Sequence, residues 1–265
     1  GRNEEILVWF GHSSYLIQTG GKRILVDPVF CMASPVSFVN KPFKGTELYT
    51  PDDMPDIDYL VISHDHWDHL DYNTVKKLKD RIGAVICPLG VGEHFEYWGF
   101  DKEQLVELDW EENAVLDSGF IVHCLPVRHF SGRGLTSDQT LWASFLIETP
   151  SLNVYMGGDS GYDTHFEDIG IQFPGIDLAI LENGQYNEDW KYIHTMPDYL
   201  GQAAKDSKQV ITVHHSKYAL ARHPWDEPLK NEKKIARENS FELLVPIIGE
   251  IVHFKRRYRE EVQQY

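Results

Sequence analysis

Three histidines and one aspartate that could bind metal lie close together in residues 64–69, in the pattern H-x-H-x-D-H. Imidazole and carboxylate groups suit zinc first, and manganese or iron where oxygen ligands dominate. In an extended segment His64 and His66 point the same way, and the turn that follows can bring Asp68 and His69 to a second point nearby. The spacing therefore predicts one turn that serves two metal ions.

The residues around this motif predict a strand that leads into a helix. Residues 58–63 form a short apolar run that is typical of a buried strand. Asp71 and the residues after it have the pattern of a capped helix start. A strand that leads directly into the motif favours a metal site over the alternative, a surface cluster of histidines.

Three further candidate ligands follow predicted strands later in the chain. His129 follows the apolar residues 120–126, and His214 follows residues 209–213. Asp159 lies between glycines, which let the backbone approach a ligand closely. The ordinary alternatives are a surface histidine for His129 and a turn-capping role for Asp159.

His12 follows the first predicted strand, residues 6–10. It is a candidate for orienting a metal ligand or a carboxylate through a hydrogen bond. A histidine that bonds only to the backbone is the alternative, and the sequence does not decide between the two.

The rest of the chain alternates predicted strands with a few helices. Further strands are predicted at residues 15–18, 23–26, 84–87, 105–108, 141–148, 153–156, 178–181 and 248–254, and helices at residues 92–98 and 195–206. Five prolines interrupt residues 28–55, which predicts a long irregular loop. A charged segment follows at residues 255–264.

The acidic balance of the chain limits its partners. Asp and Glu number 41 against 25 Lys and Arg, which gives a formal net charge of −16. An acidic surface repels polyanions, so we expect no nucleic-acid partner. Three scattered cysteines do not make a disulfide framework, and no apolar run is long enough to span a bilayer.

Several stretches resemble the metallo-β-lactamase superfamily and, within it, the N-acyl-phosphatidylethanolamine phospholipase D branch. They are residues 11–14, 25–30, 33–35, 64–72, 107–110, 158–162 and 214–220. The resemblance implies an α/β fold, the αββα four-layer sandwich. It also implies a single hydrolase domain over residues 1–265.

The resemblance implies a ligand set for two metal ions, which we expect to be zinc, with manganese and iron as alternatives. The matching residues are His64, His66 and His129 for one ion, Asp68, His69 and His214 for the other, and Asp159 as the bridge. A water shared between the ions would ionise near neutral pH and attack the substrate. Asp68 would hold this hydroxide in line and accept its proton.

His194 resembles a family histidine near the substrate and is the candidate general acid for the leaving alkoxide. The implied reaction is hydrolysis of a small-molecule or lipid phosphodiester, in the family an N-acyl ethanolamine phospholipid. Two departures affect the substrate pocket. Residues 184–194 form a somewhat shorter segment than in the family, and no stretch matches the family's long N-terminal extension.

The long loop is expected to form part of the substrate site. Phe30, Phe38 and Phe43 would line one wall of an apolar channel, and Arg128 would contact the substrate beside His129. The alternative is a loop that covers the end of the fold with its aromatic side chains buried.

Two other functions stay open at this point. The superfamily includes lactonases in which the same hydroxide attacks carbon, among them enzymes for sugar-phosphate lactones. A small pocket with basic residues would favour such a substrate, whereas a wide apolar channel favours a lipid. The third possibility is a metal-bound binding protein that has lost catalysis.

The sequence also gives expectations about the location and the assembly of the protein. The polar first residues carry no signal-peptide pattern, so a cytoplasmic protein is expected. Because the chain does not begin with Met, removal of a leader stays open as an alternative. The oligomeric state also stays open, including a homo-oligomer.

Overall fold

The computed structural model describes residues 1–36 and 38–254. Within these residues two mixed seven-stranded β-sheets pack face to face, and helices cover both outer faces. This arrangement is the αββα four-layer sandwich of the α/β class, as the resemblance implied. The charged segment at residues 255–264 lies outside the described residues.

The strands and helices are defined here in chain order. The strands are β1 (Ile6–Trp9), β2 (Tyr15–Thr19), β3 (Lys22–Val26), β4 (Ile57–Val61), β5 (Ile82–Pro88), β6 (Leu105–Leu108), β7 (Asn113–Val115), β8 (Ile121–Leu125), β9 (Ser144–Glu148), β10 (Asn153–Met156), β11 (Ile176–Glu182), β12 (Ser207–Val213), β13 (Glu242–Leu244) and β14 (Ile251–His253). The helices are α1 (Tyr72–Leu78), α2 (Gly92–Tyr97), α3 (His165–Gln172), α4 (Leu200–Ala203) and α5 (Glu227–Glu238).

Both sheets combine a parallel half with an antiparallel half. The first has the order β14-β1-β2-β3-β4-β5-β6 and is parallel from β3 to β6. The second has the order β13-β12-β11-β10-β9-β8-β7 and is parallel from β10 to β13. Since parallel strands end at the same edge, the segments that follow β3 and β4, and those that follow β10, β11 and β12, can meet there.

Strand β4 shows how the layers form. Tyr59 and Val61 pack into the core between the sheets, whereas Leu60 and Ile62 pack under α1 and α2 on the outer face. Side chains alternate along a strand, so a strand covered on both faces is apolar throughout. This explains the continuous apolar run that precedes the histidine motif.

The start of α1 links the motif to the long loop. Asp71 is the N-cap and accepts a hydrogen bond from Asn73 N at 3.1 Å, which confirms the predicted capped start. Its Oδ2 also accepts from Cys31 N at 2.8 Å. The loop that contains Cys31 has one short 3-10 turn, Pro51–Asp53, and no strand among its described residues.

Three sequence predictions were too long. The strand predicted at residues 248–254 is the shorter β14, Ile251–His253. The helix predicted at residues 195–206 is a 3-10 turn, Pro197–Tyr199, followed by the one-turn helix α4. Gly201 lies inside it and weakens helix formation, and β12 already begins at Ser207. The strand predicted from residue 141 begins at Ser144, because Ala143 N bonds across to Ser63 O of the other sheet at 2.9 Å.

None of the helices in residues 1–36 and 38–254 is both long enough and apolar enough to span a bilayer. The longest, α5, covers the second sheet with a side that includes the buried carboxyl of Glu232. This carboxyl accepts hydrogen bonds from Thr212 Oγ1 and, at 3.5 Å, from Asn183 Nδ2. Burial disfavours its charge and raises the pKa of Glu232 from 4.5 to about 7.

The free energy of unfolding should therefore depend on Glu232 as pH rises. The folded state keeps the proton up to about pH 7, whereas the unfolded carboxyl loses it near pH 4.5, so stability falls between these values. Relative to wild type, Glu232→Gln should gain on the order of 2 kcal/mol in urea unfolding between pH 4.5 and pH 8. Glu238→Gln, at an exposed position of the same helix, is the control and should show no such trend.

Candidate metal centre

Three imidazoles converge where β4 and β8 end. His64 Nε2 lies 2.9 Å from His66 Nδ1, and His129 Nε2 lies 3.3 Å from the same His66 atom. Their ligand atoms all lie within 4.8 Å of one another, close enough for one metal ion. The structure thus brings together the three residues predicted to form the first position.

A second group forms around Asp68, His69 and His214. Asp68 Oδ2 lies 3.4 Å from His214 Nε2 and 3.6 Å from His69 Nε2. Asp159 Oδ2 lies 3.2 Å from both His69 Nε2 and His214 Nε2, and 3.8 Å from His129 Nε2 of the first group. Asp159 therefore lies between the two groups, where a bridging carboxylate is expected.

His12 contacts this second group, which fits one of its two predicted roles. Its buried ring places Nε2 2.9 Å from Asp68 Oδ2. Its backbone pairs with the other loop, since His214 N donates to His12 O at 3.0 Å. Burial, together with the charge of His214, lowers the pKa of His12 to about 3, so the neutral ring donates a hydrogen bond to the carboxylate.

Asp27 is a supporting residue for which the sequence analysis assigned no role. It follows β3 and accepts hydrogen bonds from Ser63 N at 2.8 Å and from His69 Nδ1 at 2.8 Å. The bond to Nδ1 fixes the ring and turns His69 Nε2 toward the centre. An acidic residue directly after a buried strand, on the edge that carries the motif, was the available signal.

Glu182 was also missed and supports the other side of the centre. It ends β11 and accepts hydrogen bonds from His194 Nδ1 and Ser160 N, each at 2.8 Å. Its Oε2 also lies 3.3 Å from His214 Nδ1. One buried carboxylate thus accepts hydrogen bonds from the candidate general acid and from the loop that carries Asp159, and it lies beside a candidate ligand.

The electrostatics differ between the two groups. Burial and the neighbouring imidazoles lower the pKa of His64 and His129 well below the usual value, which favours the neutral ring that binds metal. At His214 burial acts in the same direction. The surrounding carboxylates, Asp159 foremost, outweigh it and raise the pKa to about 10. The second group therefore attracts positive charge.

The donor atoms fit a metal centre. Within the described part of the chain, the buried atoms His69 Nε2 and Asp159 Oδ1 make no hydrogen bond, although both lie among the candidate ligands. Buried polar atoms usually have partners, so these unpaired atoms fit a site that binds a cation. Nitrogen with a minority of oxygen donors suits zinc, iron or manganese.

Left-handed backbone conformations recur around the centre. The φ angles are 53° at His12, 40° at Asp27, 57° at Gln185 and 68° at His214. Such angles are uncommon for residues other than glycine and occur often at functional sites, where the surroundings must hold them. The surrounding structure thus holds these four residues, which lie in the loops around the candidate ligands, in uncommon backbone conformations.

A cavity of about 200 Å³ opens onto the candidate ligands. Apart from those ligands, its lining consists of His194, Gln185 and four apolar side chains, Phe130, Trp190, Ile193 and Leu220. Among the described residues, no Lys or Arg lines it. A substrate group that fills this space meets apolar side chains on most sides.

The three phenylalanines expected to form a channel wall lie outside this cavity. Phe30 packs edge-on against Phe10 at 5.3 Å between ring centroids. Phe38 is 74% exposed, and Phe43 lines a neighbouring cavity with Tyr218. The apolar wall beside the candidate ligands comes instead from other segments. A role of these three side chains in substrate binding stays a prediction.

Arg128 also points away from the candidate ligands. Its guanidinium pairs with Asp163 at 2.8 Å and lies 4.4 Å from the ring centre of Tyr192. Both contacts belong to a separate cleft, which Tyr192 and Asp163 line. Contact between Arg128 and a substrate in the cavity would require these contacts to break.

Comparison with known proteins gives relatives in sequence and in structure. The sequence model of the beta-lactamase superfamily domain matches residues 22–215. An uncharacterized protein of Mycobacterium tuberculosis is 39% identical over 254 residues, which cover 92% of this chain and 67% of that protein. N-acyl-phosphatidylethanolamine-hydrolyzing phospholipase D 1 of Caenorhabditis elegans is 30% identical over 231 residues, or 80% of this chain and 64% of that protein.

A solved structure shares the fold. Igni18, a metallo hydrolase from the archaeon Ignicoccus hospitalis, superposes with a TM-score of 0.71 at 21% identity, over 96% of this chain and 99% of that chain. The present chain spans about two thirds of the length of the mycobacterial and nematode relatives.

Asp27→Asn should weaken metal binding because the amide cannot hold His69 as the carboxylate does. Loss of such a supporting hydrogen bond typically lowers metal affinity about 10- to 100-fold. Competition with a chromophoric chelator measures the affinity. Asp58→Asn, near the opposite end of β4, is the control. Equal affinities for both variants and wild type would show that Asp27 only supports the turn.

Proposed function

The chain belongs to the metallo-β-lactamase superfamily, in the branch that resembles N-acyl-phosphatidylethanolamine phospholipase D, and we propose that it hydrolyses a phosphodiester that carries an apolar group. Metal-dependent hydrolysis is the coarser function, which the superfamily and the group of candidate ligands support. The observation that favours the finer proposal is the apolar cavity above the candidate ligands.

We assign two metal ions, with zinc expected, to the seven candidate ligands. His64, His66 and His129 would hold one ion, Asp68, His69 and His214 would hold the other, and Asp159, which lies between the two groups, would contribute to both. When bound, such ions polarise phosphoryl oxygens and lower the pKa of water. The side chains of the protein would orient the substrate and transfer the protons.

Asp68 is the proposed proton acceptor for the attacking water. It lines the cavity, and the neutral His12 ring donates a hydrogen bond from Nε2 to its Oδ2. Burial alone would raise its pKa, but the nearby His69 charge and the hydrogen bond from His12 hold the pKa well below the usual value. The carboxylate is therefore ionised and fixed in place before the substrate binds.

His194 is the proposed general acid. Its Nδ1 donates to Glu182, which fixes the ring and leaves Nε2 for the substrate in the cavity. In its protonated form the ring can pass the Nε2 proton to the leaving oxygen as the P–O bond breaks. This proton matters most when the leaving group is a strongly basic alkoxide.

The cavity lining favours a lipid-like substrate over a sugar-phosphate lactone. A free phosphate group would call for a basic side chain, and no described Lys or Arg lines the cavity. Arg128 is paired with Asp163 and Arg133 is bonded to backbone carbonyls. The presence of a proton acceptor and a candidate acid beside the ligands also argues against a silent binding protein.

Several expectations from the sequence stay predictions. These are the single-domain organisation of residues 1–265, the cytoplasmic location, the lack of a nucleic-acid partner and a homo-oligomeric assembly. None of them is needed for the proposed reaction.

The proposed substrate class is tested by hydrolysis of one phosphodiester with short and long acyl chains, beside a sugar-phosphate lactone. Wild type should favour the long chain in kcat/KM. Leu220→Ala removes an apolar wall and should reduce that preference about 30-fold, since burying a leucine contributes about 2 kcal/mol. Phe38→Ala tests the alternative wall in the long loop. A wild type that prefers the lactone would overturn the proposal.

His194→Ala should lower kcat for an alkyl phosphodiester about 100- to 10,000-fold, the usual range for general acid catalysis. An activated aryl phosphodiester should lose far less, because its leaving group departs without a proton. Steady-state kinetics on both substrates, with metal content measured in parallel, decides this. Equal losses on the two substrates would assign His194 to binding.

A further inference from the structure

Arg133 lies four residues after His129 but faces away from the cavity. It faces residues 64–70, which we call the histidine turn. Its guanidinium donates to Asp65 O at 2.9 Å and to Leu70 O at 2.5 Å. It also lies 3.9 Å from the ring centre of Trp67 and 5.8 Å from that of Trp98. One side chain thus contacts both ends of the turn that carries four candidate ligands.

The two segments also donate hydrogen bonds to each other, one from the histidine turn and one from the loop that contains Arg133. Trp67 Nε1 donates to Arg133 O at 3.2 Å, and Gly132 N donates to Asp65 Oδ1 at 2.7 Å. Asp65 Oδ2 also lies 3.2 Å from His94 Nε2 on α2. These bonds join a loop of the second sheet to a turn of the first, across the edge where the candidate ligands meet.

The chemistry of the turn explains why an arginine is suited to this position. Residues 65 and 70 lie outside regular strand or helix, so their buried carbonyls need donors from elsewhere. A planar guanidinium offers several hydrogen-bond donors in a fixed geometry and stacks on aromatic rings. A lysine ammonium is a compact charge on a flexible chain and does neither. Burial lowers the pKa of Arg133 to about 10, which still leaves it charged at neutral pH.

We propose that Arg133 is a positioning residue that couples the His129 loop to the histidine turn and thereby sets the affinity of the metal position held by His64, His66 and His129. This inference rests on the metal centre of the proposed function. His129 follows a strand of the second sheet, whereas His64 and His66 follow a strand of the first. The contacts of Arg133 would keep these three side chains close enough to bind one ion.

Arg128 provides a matched control on the same loop. It is half-exposed, pairs with the exposed Asp163 and stacks on Tyr192. It makes no hydrogen bond to the histidine turn among the described residues. Loss of either arginine removes one positive charge from the same region, so a difference between the variants reports on the contacts of Arg133.

The experiment measures zinc stoichiometry and both affinities by chelator competition, on the full chain, for wild type, Arg133→Ala, Arg133→Lys and Arg128→Ala. Arg133→Ala should bind one of the two ions about 10- to 100-fold more weakly, as for other residues that orient ligands. Arg133→Lys should recover only part of the loss. The same loss in a His214→Ala background, which leaves His64, His66 and His129 intact, assigns the effect to their position.

The outcomes separate the inference from the proposed function. A wild type that binds a single ion at the three histidines refutes the dinuclear centre but still allows the test of Arg133. Unchanged affinities with a lower melting temperature in Arg133→Ala would overturn the inference and leave Arg133 a packing residue. If Arg133→Ala does not fold, the affinities of Arg133→Lys and Trp67→Leu decide in the same way.

Discussion

The buried carboxylate of Asp159, held between two groups of imidazoles, is the interaction on which the rest of the structure depends. A buried charge is costly unless opposite charge or hydrogen bonds compensate it. Here His69 and His214 lie 3.2 Å from the same oxygen, and the other oxygen has no partner within the described residues. Bound cations would supply the remaining partner of this carboxylate. Much of the surrounding structure keeps these groups together.

The support comes from the ends of parallel strands and from the loops that follow them. Two carboxylates, Asp27 after β3 and Glu182 at the end of β11, fix the rings of His69 and His194. Left-handed backbone at His12 and His214 lets two loops pair directly through their main chains. Regular sheets thus provide the rigid frame, and strained loops at one edge provide the exact directions of the ligands.

The partners of nearby charged side chains also determine what lines the substrate cavity. The arginines next to His129 are engaged elsewhere, Arg128 with Asp163 and Arg133 with the histidine turn. The space above the candidate ligands is left to apolar side chains such as Trp190 and Leu220. A phosphodiester would therefore be recognised by its charge at the metal centre and by its apolar portion in the cavity.

From the sequence alone, the H-x-H-x-D-H spacing predicted a metal site, and the resemblance of several stretches to a known family implied the fold class and the full set of candidate ligands. Both kinds of evidence are local patterns that a linear sequence carries. Only the tertiary structure decided which side chains surround them. Asp27, Glu182 and Arg133 act through partners 12 to 68 positions away in the chain. The cavity wall likewise joins Phe130, Ile193 and Leu220 from separate loops. The phenylalanines of the long loop looked suited to that wall by composition, but composition does not specify direction. Which side chains face the cavity depends on how the sheet edges pack, and the packing is set by long-range contacts that no local pattern encodes.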